Sequence, residues 1–124
     1  MLTSIAMKHE TVREIVKKRT FKCKLFNRTF AHFKEIIWEN TNKLLRLDGF
    51  VGVKTGVTPA AGPCLSSMFQ FSPEESFVVI ILKTTSCENR FRQTLNLLKT
   101  VFQKMLVDES GARQSRYRRA IGEF

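Results

Sequence analysis

The stretch Gly52-Val53-Lys54-Thr55-Gly56 places an ammonium, a hydroxyl and a glycine in immediate succession. Two kinds of chemistry use such a set. A phosphate-cradling loop needs a glycine directly before the lysine and a helix directly after the hydroxyl residue. Val53 precedes Lys54 and Pro59 follows soon after Thr55, which excludes a nucleotide loop of that type. The other chemistry is recognition of a carboxylate and its neighbouring amide by an exposed strand. Lys54 would supply charge and Thr55 a hydroxyl donor, while Gly56 would let a ligand approach the backbone without interference from a Cβ. An extended peptide can then lie along the strand and share its main-chain hydrogen bonds.

The other reactive residue types point to less. Cys23, Cys64 and Cys87 are isolated and odd in number, with no C-x-x-C, so neither a zinc knuckle nor a closed disulfide framework is encoded. They read as free buried thiols that pack as small apolar groups. His9 and His32 lack metal-ligand spacing and an acidic partner, and read as solvent-exposed. No metal or cofactor is implied. Asn40 and Asn42 read as turn formers, because short amide side chains compete for backbone hydrogen bonds. Trp38 reads as a core or sheet-face residue.

The elements that must position Lys54 follow from hydrophobic spacing. Thr3 to Arg19 reads as helix, either one or two short helices meeting near Glu10, with Thr11 and Glu14 as a capping box. Phe21, Cys23 and Leu25 alternate with Lys22 and Lys24, as in a half-buried strand with a lysine-bearing outer face. A turn near Asn27 and Arg28 and a second strand from Phe33 to Trp38 complete an antiparallel hairpin. Asp48 and Gly49 open a strand to about Gly56; Val57 to Gly62 reads as loop, Pro63 to Phe69 as strand, Ser72 to Glu75 as turn, and Phe77 to Leu82 as strand. Phe91, Leu95, Leu98, Val101, Phe102 and Met105 then form one apolar helix face between about Glu88 and Leu106, with Ser86 as N-cap. The expected class is α+β, an antiparallel sheet packed by helices.

Composition bounds the rest. The 124 residues carry 21 Lys plus Arg against 11 Asp plus Glu, a formal charge of +10, and 43% apolar residues. Eleven Phe argue against wholesale disorder, and no apolar run reaches the length of a membrane span. The N-terminus has no basic stretch followed by an apolar core, so no secretory signal is readable. Nine basic residues against two acids lie between Lys8 and Lys34, and Arg113, Arg116, Arg118 and Arg119 sit in an aperiodic C-terminal tail. That distribution fits a solvated basic face, with a noncatalytic module for an anionic polymer or nucleic acid as the alternative. Nucleic acid is not the expected partner. Residues 1–107 are expected to be structured and 108–124 to form a basic, disordered tail.

Three segments carry a family resemblance. Asn40-Thr41-Asn42-Lys43-Leu44-Leu45, then Asp48 and Gly49 with Lys54-Thr55-Gly56-Val57-Thr58, then Ala61-Gly62-Pro63-Cys64-Leu65 resemble the D-alanyl-D-alanine carboxypeptidases of the low-molecular-weight penicillin-binding group (peptidase family S11). In that family an N-T-N-x-L-L segment precedes a D-G-x-K-T-G-x-T strand and an A-G-x-x-L strand. The N-T-N-x-L-L segment argues against a β-lactamase or transpeptidase member. The Phe50-Val51 pair is extra to the family spacing and bears on the register of the strand rather than its role.

The resemblance implies a partial serine β-lactamase/penicillin-binding-protein-like (DD-peptidase) fold. It also implies hydrolysis of the terminal D-Ala from peptidoglycan stem peptides through an acyl-serine, β-lactams as mimics, and a cell-envelope or extracytoplasmic setting. By the same resemblance Lys54 would bind the substrate or β-lactam carboxylate, Thr55 would donate to it, Gly56 would allow close passage, and the Val57 N–H would serve as an oxyanion donor. The family machinery is S-x-x-K, S-x-N and K-T-G. No serine here has a lysine at i+3, and the nearest approach to S-x-N is Thr94-Leu95-Asn96 in the last helix. No catalytic residue is therefore expected in the chain. Its expected identity is the C-terminal part of a catalytic domain, with Met1 internal to a longer product or a false start.

Overall fold

The computed structural model describes residues 2–29 and 32–108, together with Ser115, Arg118, Arg119 and Gly122. Most of the C-terminal segment expected to be a disordered tail lies outside the described residues. In chain order the elements are α1 (Leu2–Ala6), α2 (Glu10–Val16), β1 (Thr20–Phe26), β2 (Phe33–Glu39), the 3-10 helix η1 (Lys43–Arg46), β3 (Phe50–Thr58), β4 (Gly62–Gln70), β5 (Ser76–Ile81) and α3 (Cys87–Asp108). By internal contacts the chain divides into two compact units, residues 1–55 with 66–78 and residues 56–65 with 79–124. β3, β4 and β5 hydrogen-bond in that order. The two connections are too short for a parallel crossover, so the sheet is antiparallel, as the sequence predicts.

In the first unit the N-terminal segment forms two helices. Arg13 closes the break between them by donating from Nη1 to the carbonyls of Met7 (2.9 Å) and Lys8 (2.7 Å). These carbonyls would otherwise be orphaned at the end of α1. The predicted capping box does not form. α2 starts one residue before Thr11, with His9 as an N-cap that makes no side-chain hydrogen bond.

β1 and β2 pair antiparallel in the predicted hairpin, Phe21 opposite Trp38, Cys23 opposite Ile36 and Phe26 opposite Phe33. Their burial departs from the half-buried expectation, since only Cys23 and Ile36 are partly covered. Lysines lie over the exposed rings instead: Lys18 Nζ is 5.6 Å from the Phe21 centroid and Lys24 Nζ is 4.5 Å from that of Phe33.

The core of this unit holds Met7, Leu44, Leu45, Phe50 and Phe69. Phe50 and Phe69 meet edge to face at 5.2 Å, so the first of the two extra residues before Lys54 opens β3 as a core residue, while Val51 is half-buried. Gly49 stands beside them at φ +85°, where a Cβ would come within 2.4 Å of the Phe69 ring. Glycine answers both constraints at once. The Ser72 to Glu75 turn forms as predicted, with Ser72 Oγ accepting from the backbone N–H groups of Glu74 and Glu75.

The second unit buries Leu65, Val79, Phe91, Leu98 and Phe102. Each such side chain contributes roughly 1.5–3 kcal/mol on leaving water. α3 follows the predicted apolar face, and Ser86 Oγ accepts the Asn89 N–H at 3.2 Å as the expected N-cap. Sequence punctuation ended β3 too early: the strand runs through Val57 and Thr58, and only residues 59–61 turn. Both are β-branched residues that fit a pleated strand. Among the described residues no helix is long and apolar enough to cross a membrane.

Candidate functional site

Strand β3 carries Lys54, Thr55, Gly56 and Val57 in succession. Successive side chains on a strand point to opposite faces. Lys54 and Gly56 are exposed, whereas Thr55 between them is only 7% exposed. The alternation separates two jobs that the sequence had grouped.

In the first unit Lys54 is exposed, and its ammonium donates to the carbonyl of Thr55. The Thr55 hydroxyl turns inward and lies 2.6 Å from the Thr41 hydroxyl. This contact joins two of the segments singled out in the sequence, N-T-N and K-T-G. The flanking amides act as turn formers, as expected. Asn40 Nδ2 donates to the carbonyls of Val16 (3.2 Å) and Lys18 (3.0 Å), while its Oδ1 accepts the Asn42 N–H at 2.9 Å. Asn42 Oδ1 caps η1 by accepting the Leu44 N–H at 3.2 Å. Upstream, Gly52 lets the strand pass close to α2, since a Cβ there would meet Val16 at 2.7 Å.

In the second unit a Cβ built on Gly56 meets nothing within 4 Å, so that side of the strand is open to an approaching ligand. Val57 is 57% exposed. The carbonyl of Gly56 is held from α3, where Arg90 Nη1 donates at 3.3 Å to it and at 3.3 Å to the carbonyl of Cys64 on β4. Arg90 is 6% exposed and its Nε has no hydrogen-bond partner among the described residues. The sequence reading missed this residue. Its signal was the i+4 row Arg90, Thr94, Leu98 and Phe102, which places a guanidinium on the buried stripe of α3.

Thr94 belongs to that row as well. It is fully buried and its hydroxyl donates to the Arg90 carbonyl at 2.8 Å, the usual back-bonding of a helical threonine. Trp38 is a sheet-face residue, 54% exposed and stacked on Phe21 with ring centroids 6.2 Å apart. His9 and His32 are both exposed. All three cysteines are free thiols, but none is buried as expected: Cys23 and Cys64 are partly covered and Cys87, in the first turn of α3, is exposed.

No protein-family model matches the chain. A D-alanyl-D-alanine carboxypeptidase of Streptomyces sp. (strain K15) is 40% identical over 65 residues, which are 52% of this chain and 22% of that protein. Among solved structures, a serine-to-alanine mutant of the DD-transpeptidase of the same strain superposes with a TM-score of 0.71 at 30% identity, covering 78% of this chain and 37% of that one. A penicillin-binding protein of Listeria monocytogenes, solved in its cefotaxime-bound form, gives 0.58 at 25% identity over 79% of this chain and 36% of that one.

The chain thus spans about a fifth of the curated relative and little more than a third of the solved ones. Its structural neighbours include a protein named a DD-transpeptidase as well as a penicillin-binding protein. In sequence and in fold the chain is similar to the D-alanyl-D-alanine carboxypeptidases and DD-transpeptidases of the penicillin-binding group, and its α+β architecture is part of the DD-peptidase fold.

Proposed function

We propose that this chain supplies the carboxylate-binding strand of a serine-type D-Ala-D-Ala carboxypeptidase acting on peptidoglycan stem peptides outside the cytoplasm. The observation that supports it is the placement of Lys54 and Gly56 on the open face of β3, within a fold shared with penicillin-binding proteins. Lys54 would pair with the terminal carboxylate of the peptide or of a β-lactam. The Thr55 hydroxyl, turned inward to Thr41, would hold in place the strand that presents Lys54 to that carboxylate. Gly56 leaves room for the ligand backbone. The Val57 N–H would face the oxygen that gains charge as the acyl carbon becomes tetrahedral.

The nucleophile and general base of such a reaction, carried in the family by S-x-x-K and S-x-N, have no counterpart in these 124 residues. The chain alone therefore binds and positions but does not acylate. Incubation with a fluorescent penicillin is expected to give no covalent adduct on a denaturing gel. A peptide ending in D-Ala-D-Ala is expected to shift the amide resonances of Lys54 to Val57, with no such shift for the same peptide amidated at its C-terminus. A stable adduct overturns the assignment of inactivity. Equal shifts with the amidated peptide overturn the role of Lys54.

A further inference from the structure

Two hollows adjoin at the root of the hairpin, and their linings differ in chemistry. One, of about 390 Å³, is walled by Phe21 and Trp38, with the Lys18 ammonium over the Phe21 ring as a further positive charge. The other, of about 400 Å³, is walled by Arg19, Arg46 and Asn42. Thr20, Glu39 and Asn40 line both. Among the described residues the side chains of Arg19, Arg46 and Glu39 make no hydrogen bond or ion pair.

Asn42 is 2% exposed, and its Nδ2 is buried with no partner among the described residues. Its orientation is fixed, because Oδ1 must accept the Leu44 N–H and a flipped amide would set two donors against each other. An unpaired buried donor costs on the order of 1–3 kcal/mol, so this one calls for an acceptor.

The ligand class follows from satisfying every group together. Two guanidinium groups and an amide donor ask for an anion. Glu39 faces the same space and would repel a bare anion, but it accepts hydrogen bonds from hydroxyl groups. Trp38, supported on one side by Phe21 at an interplanar angle of 26°, offers a flat and exposed apolar surface. A hydroxylated ring with one anionic substituent meets all three demands. A simple anion leaves the indole unused, and an apolar ring leaves the arginines unpaired.

We propose that the root of the β1-β2 hairpin binds a sugar ring carrying a carboxylate or phosphate, with the ring on Trp38, its hydroxyl groups on Glu39 and its anion between Arg19, Arg46 and the Asn42 amide. The proposal does not rest on the role assigned to Lys54.

Trp38 is the single tryptophan of the chain, so its fluorescence reads the site directly. The full chain is titrated with glucuronate, glucose 6-phosphate, glucose and inorganic phosphate. A saturable emission change is expected with glucuronate or glucose 6-phosphate, at least about tenfold tighter than with glucose or phosphate. Whichever binds tighter identifies the anion. Arg19→Gln and Arg46→Gln, made separately at exposed positions and checked for an unchanged far-ultraviolet circular dichroism spectrum, each weaken binding about tenfold. Lys54→Gln leaves it unchanged, which separates this site from the one on β3. Absence of a saturable response, an equal response to bare phosphate or to glucose, or unchanged affinity in both arginine variants overturns the proposal.

Discussion

The contact between Thr41 and Thr55 ties the N-T-N segment to the strand that bears Lys54, and a double-mutant cycle measures it. The two hydroxyl oxygens are 2.6 Å apart, one on an exposed residue and one on a residue 7% exposed. Thr41→Val removes the partner of a largely buried hydroxyl, which is expected to cost about 1–2 kcal/mol. Thr55→Val exchanges that hydroxyl for a methyl and leaves Thr41 to hydrogen-bond with water, for about 1 kcal/mol or less. The double variant leaves no buried orphan, so its cost falls below the sum of the single costs by about 1 kcal/mol. Urea denaturation of the four proteins, followed by circular dichroism at fixed m-value, gives the coupling. A coupling below about 0.3 kcal/mol, within the usual additivity of independent sites, refutes the claim that this bond anchors the strand.

Glycine substitutions on either side of Lys54 are expected to separate folding from binding. Gly49→Ala, at φ +85° and against the Phe69 ring, lowers the melting temperature sharply. Gly56→Ala enters open space, leaves the melting temperature within about a degree, and weakens binding of a D-Ala-D-Ala peptide at least tenfold by blocking its approach. Arg90→Leu removes the donors to the carbonyls of Gly56 and Cys64 and is expected to cost about 1–3 kcal/mol, with faster amide exchange in the adjoining strand ends; unchanged exchange would contradict a positioning role. Lys17 holds the Glu14 carboxyl below its ordinary value, first by a 2.5 Å hydrogen bond and then by charge. A depressed folded value means that the contribution is present above the unfolded value and is lost as pH falls through the folded one. The helicity difference between the wild-type chain and Glu14→Gln is therefore expected at neutral pH and absent in acid, as read by circular dichroism across a pH titration.

What could be read in the sequence depended on the length of the repeating pattern. α3 is 22 residues long and shows several turns of one apolar face, so its limits and its N-cap were legible. η1 has four residues and no room for a period; its only advance signal was an asparagine two residues before Leu44. The hairpin shows a different limit. Alternation fixes which residues share a face, but it carries no information about what covers that face, and Phe21, Leu25 and Trp38 are about half exposed.

The same period-2 rule sharpens the reading of the site. Lys54, Thr55 and Gly56 form one motif in the chain, yet neighbours on a strand cannot all face the same way. Lys54 and Gly56 turn to the open side, and Thr55 turns inward to Thr41. The hydroxyl between the lysine and the glycine therefore reports on the N-T-N segment: a change at Thr41, which lies on no strand, should reach a ligand on β3 through a single hydrogen bond.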